Sequence, residues 1–364
     1  MKIPIQNIYY LLCYAWDKLD ESDIVEVKGI ESTELCDLFA KVLISGTSHL
    51  LKMGLDRGYL LIGEEISGIK GKIDFSSSLK DNLLKKARAY CLFDELDHNI
   101  LHNQILKSTL LKLALVDELD DTLRASLYNL LRRLTEINEI HLSQAVFRKV
   151  QLNHNNAFYD FLLKICELVI DNLLPTQERG RSKFRNFLKD EKQMSTLFES
   201  FVRNFYRLEQ KTYKVGREDI YWDVSGDGRR DNHRDDNSDD NSDDQDLLPK
   251  MQTDISLESD DKKIIIDTKY YSETLSEHYG VKKIREPNLY QIFAYLKNIE
   301  KKSEKDKFST GILLYPYVDQ NLNYRVNIQG HDIVIRTINL NQDWHIIHAD
   351  LLAIIGLSTP QLST

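Results

Sequence analysis

The chain has 364 residues, 42% apolar and 29% charged, which gives room for two globular domains and excludes a fibre or a wholly disordered chain. No apolar run approaches the roughly 18 to 20 residues that span a bilayer. The opening MKIPIQNIYYLLCYAWDKLDE lacks the basic start of a secretory signal, so a cytoplasmic location is expected. The net charge of −9 is concentrated in residues 223 to 246, which hold ten Asp against three Arg; the rest of the chain is close to neutral, so acidity does not exclude a nucleic-acid partner.

Taken in chain order, Ile5, Ile8, Tyr9, Leu12 and Trp16 recur at helical spacing and predict an opening amphipathic helix. GYLLIGEEISGIKGKIDF, within residues 55 to 75, reads as short strands and turns, and long helical patterns follow over 99 to 138 and 156 to 174. From 191 to 208, Met194, Leu197, Phe198, Phe201, Val202, Phe205 and Leu208 mark the buried face of a helix with Glu199 at its edge. The acidic stretch over 226 to 246 has no apolar side chain to offset its ordering entropy and is expected to be a disordered insert. Beyond it, TDISLES and KKIIIDTKYY read as strands, NLYQIFAYLKNIE as a helix, TGILLYPYV as a strand and 344 to 355 as a last helix, an order that suits an α/β layer. The fold class expected is α+β, with a mixed, mostly helical domain over 1 to 160 and an α/β domain over 161 to 364. Cys13, Cys36, Cys91 and Cys166 lie far apart in apolar surroundings and read as reduced core residues.

The chemistry concentrates in the hairpin from Thr253 to Tyr270. With its turn centred between Asp260 and Asp261, opposed residues have numbers summing to 521, so Asp254 faces Asp267 across the strands. Like charges so placed are destabilising, and a hard divalent cation would relieve them. The period-2 rule puts Lys269 on the same face as Asp267. Two carboxylates, a cation and an ammonium fit phosphodiester hydrolysis, in which water must be activated and charge on the phosphate offset. Gln291 and Tyr295, one helical turn apart, could orient Lys269 or a phosphate. Glu199 is a further candidate for the metal site, and Lys282, Lys283 and Arg285, in the loop before that helix, are candidate DNA contacts.

At these residues the sequence resembles the McrC family, the nuclease subunits of McrBC modification-dependent (type IV) restriction systems in the PD-(D/E)xK superfamily. The resemblance runs through IPIQNIYYLLCYAWD, GIKGKIDF, NQILKSTL, LLPKMQTDI, IIIDTKYY, NLYQIFAYL and LLYPYVD. It implies that Asp254, Asp267 and Lys269 form the nuclease motif, that Gln291 and Tyr295 are the QxxxY element of RecB-like nucleases, and that Mg²⁺ is the cofactor. It also implies a partner, a hexameric McrB-like AAA+ GTPase on which the N-terminal domain docks and whose GTP hydrolysis it stimulates, and a double-stranded DNA substrate containing modified cytosine. The absence of a GxxxxGK[ST] loop in this chain agrees with GTP being bound by the partner. Lys70 and Lys72, beside the turn glycines Gly68 and Gly71, are candidate partner contacts. Two alternatives stay open: a stand-alone repair or recombination nuclease, and a non-enzymatic activator of an AAA+ protein.

Overall fold

The computed structural model describes residues 3–19, 34–152, 156–176, 181–223, 248–278 and 281–357. The expected acidic insert at 226 to 246 lies outside the described residues. The chain divides into two compact units, one of Met1–Leu19 with Phe187–Thr364 and the other of Asp20–Asn186. The boundary expected near 160 therefore falls after Asn186, and the first helix belongs with the C-terminal unit.

That helix, α1 (Ile5–Ala15), buries Leu11, Leu12 and Cys13 as well as the predicted Ile8 and Tyr9, so it is enclosed on more than one face. Asn7 donates to the carbonyls of Leu340 and Gln342 at 2.9 and 2.8 Å, and Tyr10 stacks on Trp344 at 4.7 Å. These are contacts with residues more than 300 positions away, which no local pattern signals.

The unit of Asp20–Asn186 is mostly helical, with α2 (Leu35–Met53), then strands β1 (Gly58–Ile66) and β2 (Lys72–Ile73), helix α3 (Phe75–Lys80) and strand β3 (Ala89–Asp97). Helices α4 (Leu101–Ala114), α5 (Asp121–Leu131), α6 (Gln144–Phe147) and α7 (Ala157–Asn172) follow, then the short pair β4 (Leu173–Pro175) and β5 (Ser182–Phe184). The long helical pattern over 99 to 138 is thus two helices; Asp120 caps the second by accepting from the Thr122 and Leu123 amides at 2.9 and 3.1 Å. Strands β1, β3 and β2 form a three-stranded sheet. One of its faces packs Ile62 and Ile66 against Ala89, Cys91 and Phe93, and the other presents Tyr59, Leu61 and Leu96 to solvent.

In the other unit, α8 (Glu191–Glu209) is capped by Asp190, which accepts from the Lys192 and Gln193 amides, and it buries Met194, Phe198, Phe201, Val202, Phe205 and Tyr206. Leu208, expected on that face, is exposed. Helix α1 packs on α8 through Tyr14, whose ring lies 5.9 and 5.5 Å from those of Phe201 and Phe205. Next come β6 (Lys214–Gly216), β7 (Asp219–Ile220), β8 (Met251–Gln252), β9 (Ile255–Glu258), β10 (Lys263–Thr268), β11 (Ser276–His278) and β12 (Val281–Lys283). Helix α9 (Glu286–Ile299), the short α10 (Glu304–Lys307), β13 (Thr310–Pro316), β14 (Asn323–Ile328), β15 (His331–Ile338) and α11 (Trp344–Ile354) complete the unit.

Its central sheet has six strands in the order β14-β15-β13-β10-β9-β6. Strand β10 runs parallel to β13 and antiparallel to β9. Every residue from Lys263 to Thr268 is buried, as expected of a strand covered on both faces. Helix α9 lies close over the β10–β13 pair: a Cβ on Gly311 of β13 would stand 2.7 Å from Ile292 and 2.9 Å from Leu296. All four cysteines are buried and unbridged, and no helix among the described residues is long and apolar enough to cross a membrane.

Candidate active site

Strands β9 and β10 pair in the register Lys263↔Glu258, Ile264↔Leu257, Ile265↔Ser256 and Ile266↔Ile255. Each pair sums to 521, so the expected hairpin register holds, and one further step sets Asp267 against Asp254. The ladder ends there because Asp254 takes over the hydrogen bonding: its Oδ2 accepts from the amide and hydroxyl of Thr268 at 2.8 and 3.0 Å. Asp267 is fully buried, and its Oδ1 has no hydrogen-bond donor. Its Oδ2 lies 2.8 Å from Lys269 Nζ, an ion pair without hydrogen-bond alignment.

Lys269 Nζ also donates to Gln291 Oε1 at 2.9 Å. Gln291 Nε2 donates to Tyr295 Oη at 2.7 Å, and Tyr295 Oη donates to the Gln252 carbonyl at 2.9 Å. The chain of donors fixes the Gln291 amide: with its NH₂ turned to Tyr295, its carbonyl oxygen must face the ammonium. The two residues one turn apart on α9 thus position Lys269, as their spacing suggests.

The electrostatics follow from burial. Desolvation, with added repulsion from Asp254 and Glu199 and against the pull of Lys269, pushes the Asp267 carboxyl up to about 7. Burial and then the charge of Glu199 also raise Asp254, while Thr268 and Lys269 oppose the shift. Burial works against the Lys269 ammonium, but Asp267 and Asp254 outweigh it and hold its pKa above the ordinary lysine value. Two carboxylates held where neither is comfortable as an anion, one with an oxygen lacking a donor, are suited to a hard divalent cation that prefers oxygen ligands. The donor set therefore fits such an ion, and Asp254 and Asp267 are the residues that could hold it.

Glu199 is close enough for its charge to act on both aspartates, yet its Oε1 is held by Arg203 Nη1 at 2.7 Å and by Arg217 Nη2. Among the described residues no group of three or more His, Cys, Asp or Glu side chains is arranged to hold a metal. Arg203 also reaches the Asp254 carbonyl at 3.5 Å. Sequence reasoning missed both arginines; Arg203, one turn beyond Glu199, was there to be read, whereas Arg217 comes from a different element.

The basic candidates sit elsewhere in the unit. Lys282 and Lys283 lie on a two-stranded ribbon, β11 with β12, where a loop was expected. Lys282 pairs with Asp319 at 2.9 Å, and Lys283 is exposed. Arg285, at the start of α9, stacks on Tyr271 at 4.3 Å and donates to the Glu273 carbonyl at 3.3 Å. Tyr271 in turn donates to Asn288, which donates to Tyr315, so the stacking ring is held in place. In the other unit Lys70 lies 3.8 Å over the Phe93 ring and 3.9 Å from Glu95, and Lys72 is exposed on β2.

A family described as "McrBC 5-methylcytosine restriction system component" matches residues 6–316. The chain belongs to this McrBC family. It is 35% identical over 352 residues to the "Type IV methyl-directed restriction enzyme EcoKMcrBC" of Escherichia coli (strain K12), covering 97% of both chains. Its fold is similar to that of a chain in the "Refined half-complex from tetradecameric assembly of Thermococcus gammatolerans McrB AAA+ hexamers with bound McrC", with a TM-score of 0.59 and 14% identity over 97% of this chain and 76% of that one. The McrBC match begins in α1 and ends in β13, so it takes in every residue of the hairpin and of α9.

Proposed function

We propose that this chain is the DNA endonuclease subunit of a GTP-dependent restriction complex that cuts DNA containing modified cytosine. The observation that carries the reading is the convergence of Asp254, Asp267 and Lys269 on two paired strands, with Lys269 held from α9 by Gln291 and Tyr295. The relation to a methyl-directed restriction enzyme supports the substrate class.

Asp254 and Asp267 would hold Mg²⁺, with Glu199 as a third carboxylate once Arg217 no longer holds it. When bound, Mg²⁺ supplies a Lewis acid that makes water a better nucleophile at neutral pH and offsets charge building on the phosphate. Lys269 contributes a fixed point charge beside that centre, either on the attacking water or on a phosphate oxygen. Gln291 and Tyr295 keep the ammonium from turning away and limit its freedom to the productive direction. Lys283 and Arg285 are proposed to contact the DNA backbone, and Lys282 would do so after exchanging Asp319 for a phosphate.

The unit of Asp20–Asn186 is proposed to dock on a McrB-like AAA+ GTPase hexamer and to stimulate its GTP hydrolysis. A McrB hexamer with bound McrC is the assembly named for the structural relative. In this chain the supporting feature is the outer face of the β1-β3-β2 sheet, where Tyr59, Leu61 and Leu96 are exposed apolar groups in need of a cover. Lys72, opposite Leu92 on β3, shares this outer face, whereas Lys70 lies over Phe93 on the other; both are proposed as polar contacts at the edge of the docked surface.

The test mixes the chain with its AAA+ partner, GTP, Mg²⁺ and DNA carrying methylated cytosine. Asp267→Ala should bind the partner and raise GTP hydrolysis as the unaltered chain does, while DNA stays intact. Near-normal Mg²⁺-dependent cleavage by Asp267→Ala would sink the reading. Cleavage by the unaltered chain without partner or GTP would favour the stand-alone nuclease.

A further inference from the structure

The contacts of Glu199 do not balance. Its carboxylate carries one negative charge, but two guanidiniums meet on the same oxygen, Oε1, which leaves a surplus positive charge at the edge of the site. The two arginines differ in what else holds them. Arg203 is on the same helix one turn along, its side chain is 22% exposed, and it also reaches the Asp254 carbonyl, so it ties α8 to the start of β9. Arg217 comes from the segment after the edge strand β6, its side chain is 44% exposed, and solvent reaches it directly. Arg203 suffices to neutralise Glu199; Arg217 is the member that an anion from outside can take.

The incoming substrate has the matching chemistry. A phosphodiester presents two oxygens to the planar fork of a guanidinium and can pair with it bidentately, as a carboxylate does. Glu199 has the complementary need, since its charge already bears on Asp254 and Asp267 and a divalent cation between them would attract it.

We propose that Arg217 is an exchangeable latch on Glu199: in the free chain it holds the carboxylate off the two aspartates, and a DNA backbone phosphate takes the guanidinium and releases Glu199 to complete the cation site. Arg217 is thus a positioning residue that makes ion binding depend on DNA. The idea rests on the nuclease reading above. By linkage the dependence is reciprocal, so the ion must strengthen DNA binding by the same factor that DNA strengthens ion binding.

The test measures Mn²⁺ affinity of the full chain by electron paramagnetic resonance, with and without a saturating short DNA duplex and in the absence of the GTPase partner, correcting for ions held by the duplex alone. For the free chain, Arg217→Ala should tighten Mn²⁺ binding by about threefold, the scale of one partly exposed ion pair. Saturating duplex should tighten binding to the unaltered chain by a similar factor and leave Arg217→Ala unchanged. Removing any nearby positive charge would attract a cation, so the deciding measurement is a double-mutant cycle with Glu199→Gln. If Arg217 acts through Glu199, Arg217→Ala loses its effect in the Glu199→Gln background. Equal tightening in both backgrounds, or no response of the unaltered chain to duplex, overturns the latch. Arg217→Gln serves as the second variant should alanine destabilise the chain. Asp267→Ala separates the two levels of inference. If it leaves Mn²⁺ binding intact, the nuclease reading fails; if it abolishes binding while Arg217→Ala moves nothing, the reading stands and the latch falls.

Discussion

The two sheets of this molecule make opposite departures from ordinary folding. The six-stranded sheet buries a carboxyl group, Asp267, next to the C-terminal end of its most enclosed strand. The three-stranded sheet leaves Tyr59 76% and Leu61 69% exposed on a strand whose other face is packed. A charge without full partners inside and large apolar groups outside are both costly, and each is more informative than any well-packed core residue. On the proposed function the first takes a cation and the second a protein surface. The contrast separates the proposed tasks of the chain: the chemistry lies where a polar group has been forced inward, and the docking lies where apolar groups have been left outward.

The sharpest way to break this division is at Asp267. Asp267→Ala is expected to lower DNA cleavage by about 10² to 10³-fold or more, the scale of losing one group that acts on the reacting centre. Partner binding and GTP stimulation should be unchanged, which a phosphate-release assay and a pull-down with the AAA+ protein would show together. Substitution on the other sheet should do the reverse. Tyr59→Ser with Leu61→Ser should weaken partner binding by roughly ten- to thirtyfold or more, as loss of apolar anchors does. It should leave chain stability within about 0.5 kcal/mol, because exposed groups contribute little to the fold. Binding by calorimetry and a melting curve test the pair. If the double substitution leaves binding intact, the exposed face is not the docking surface.

What could be read in the sequence divides along the same line. The register of β9 with β10 was legible because a hairpin is local and its turn residues, Ser259 to Lys262, fix the pairing. The Gln291–Tyr295 pair was legible because i and i+4 share a helix face. The membership of α1 was not, since its partners Leu340 and Gln342 lie at the far end of the chain. Nor was Arg217, which reaches Glu199 from a separate element. The ribbon carrying Lys282 and Lys283 was missed because two three-residue strands leave too short a pattern to detect. Strand β1 was legible as a short strand, but the continuous apolar run Tyr59 to Ile62 puts apolar residues on both faces and gave no hint of which side would be covered.

A smaller effect tests whether α9 positions Lys269 as its hydrogen bonds indicate. Gly311→Val should destabilise the chain by about 1 to 3 kcal/mol, because the added carbons meet Ile292 and Leu296 with no room to move. The helix can escape only by shifting, and Gln291 and Tyr295 shift with it. Cleavage should fall several-fold at temperatures where the variant is fully folded, with partner binding unaffected. A variant that is destabilised but cleaves normally would show that Lys269 does not depend on the seat of α9.

The smallest expected effect is in pH dependence, where the two units should respond with opposite sign. His102 in the Asp20–Asn186 unit is buried, with its ring 4.6 Å from that of Tyr159 and its Nε2 3.1 Å from Asp56 Oδ2. Burial lowers its pKa below the ordinary 6.5, and Asp56 offsets only part of that shift. The folded chain then resists a proton that the unfolded chain accepts, so this contribution is full above about 6.5 and is lost as pH falls through the lower folded value. Asp267 runs the other way. Its pKa rises from an ordinary 3.8 to about 7, so in metal-free protein its contribution is full below the ordinary value and is lost as pH rises through about 7. Hydrogen exchange of the full chain, corrected for intrinsic rates, can follow the two units separately. Between pH 7.5 and 5.5, protection in α4 should fall relative to a His102→Gln chain, and protection in β10 should rise relative to an Asp267→Asn chain. Added Mg²⁺ should erase the second change by favouring the carboxylate, and it should leave the first untouched. A Mg²⁺ effect on α4 equal to that on β10 would mean that the two units do not titrate independently, and the separation of chemistry from docking would lose its physical basis.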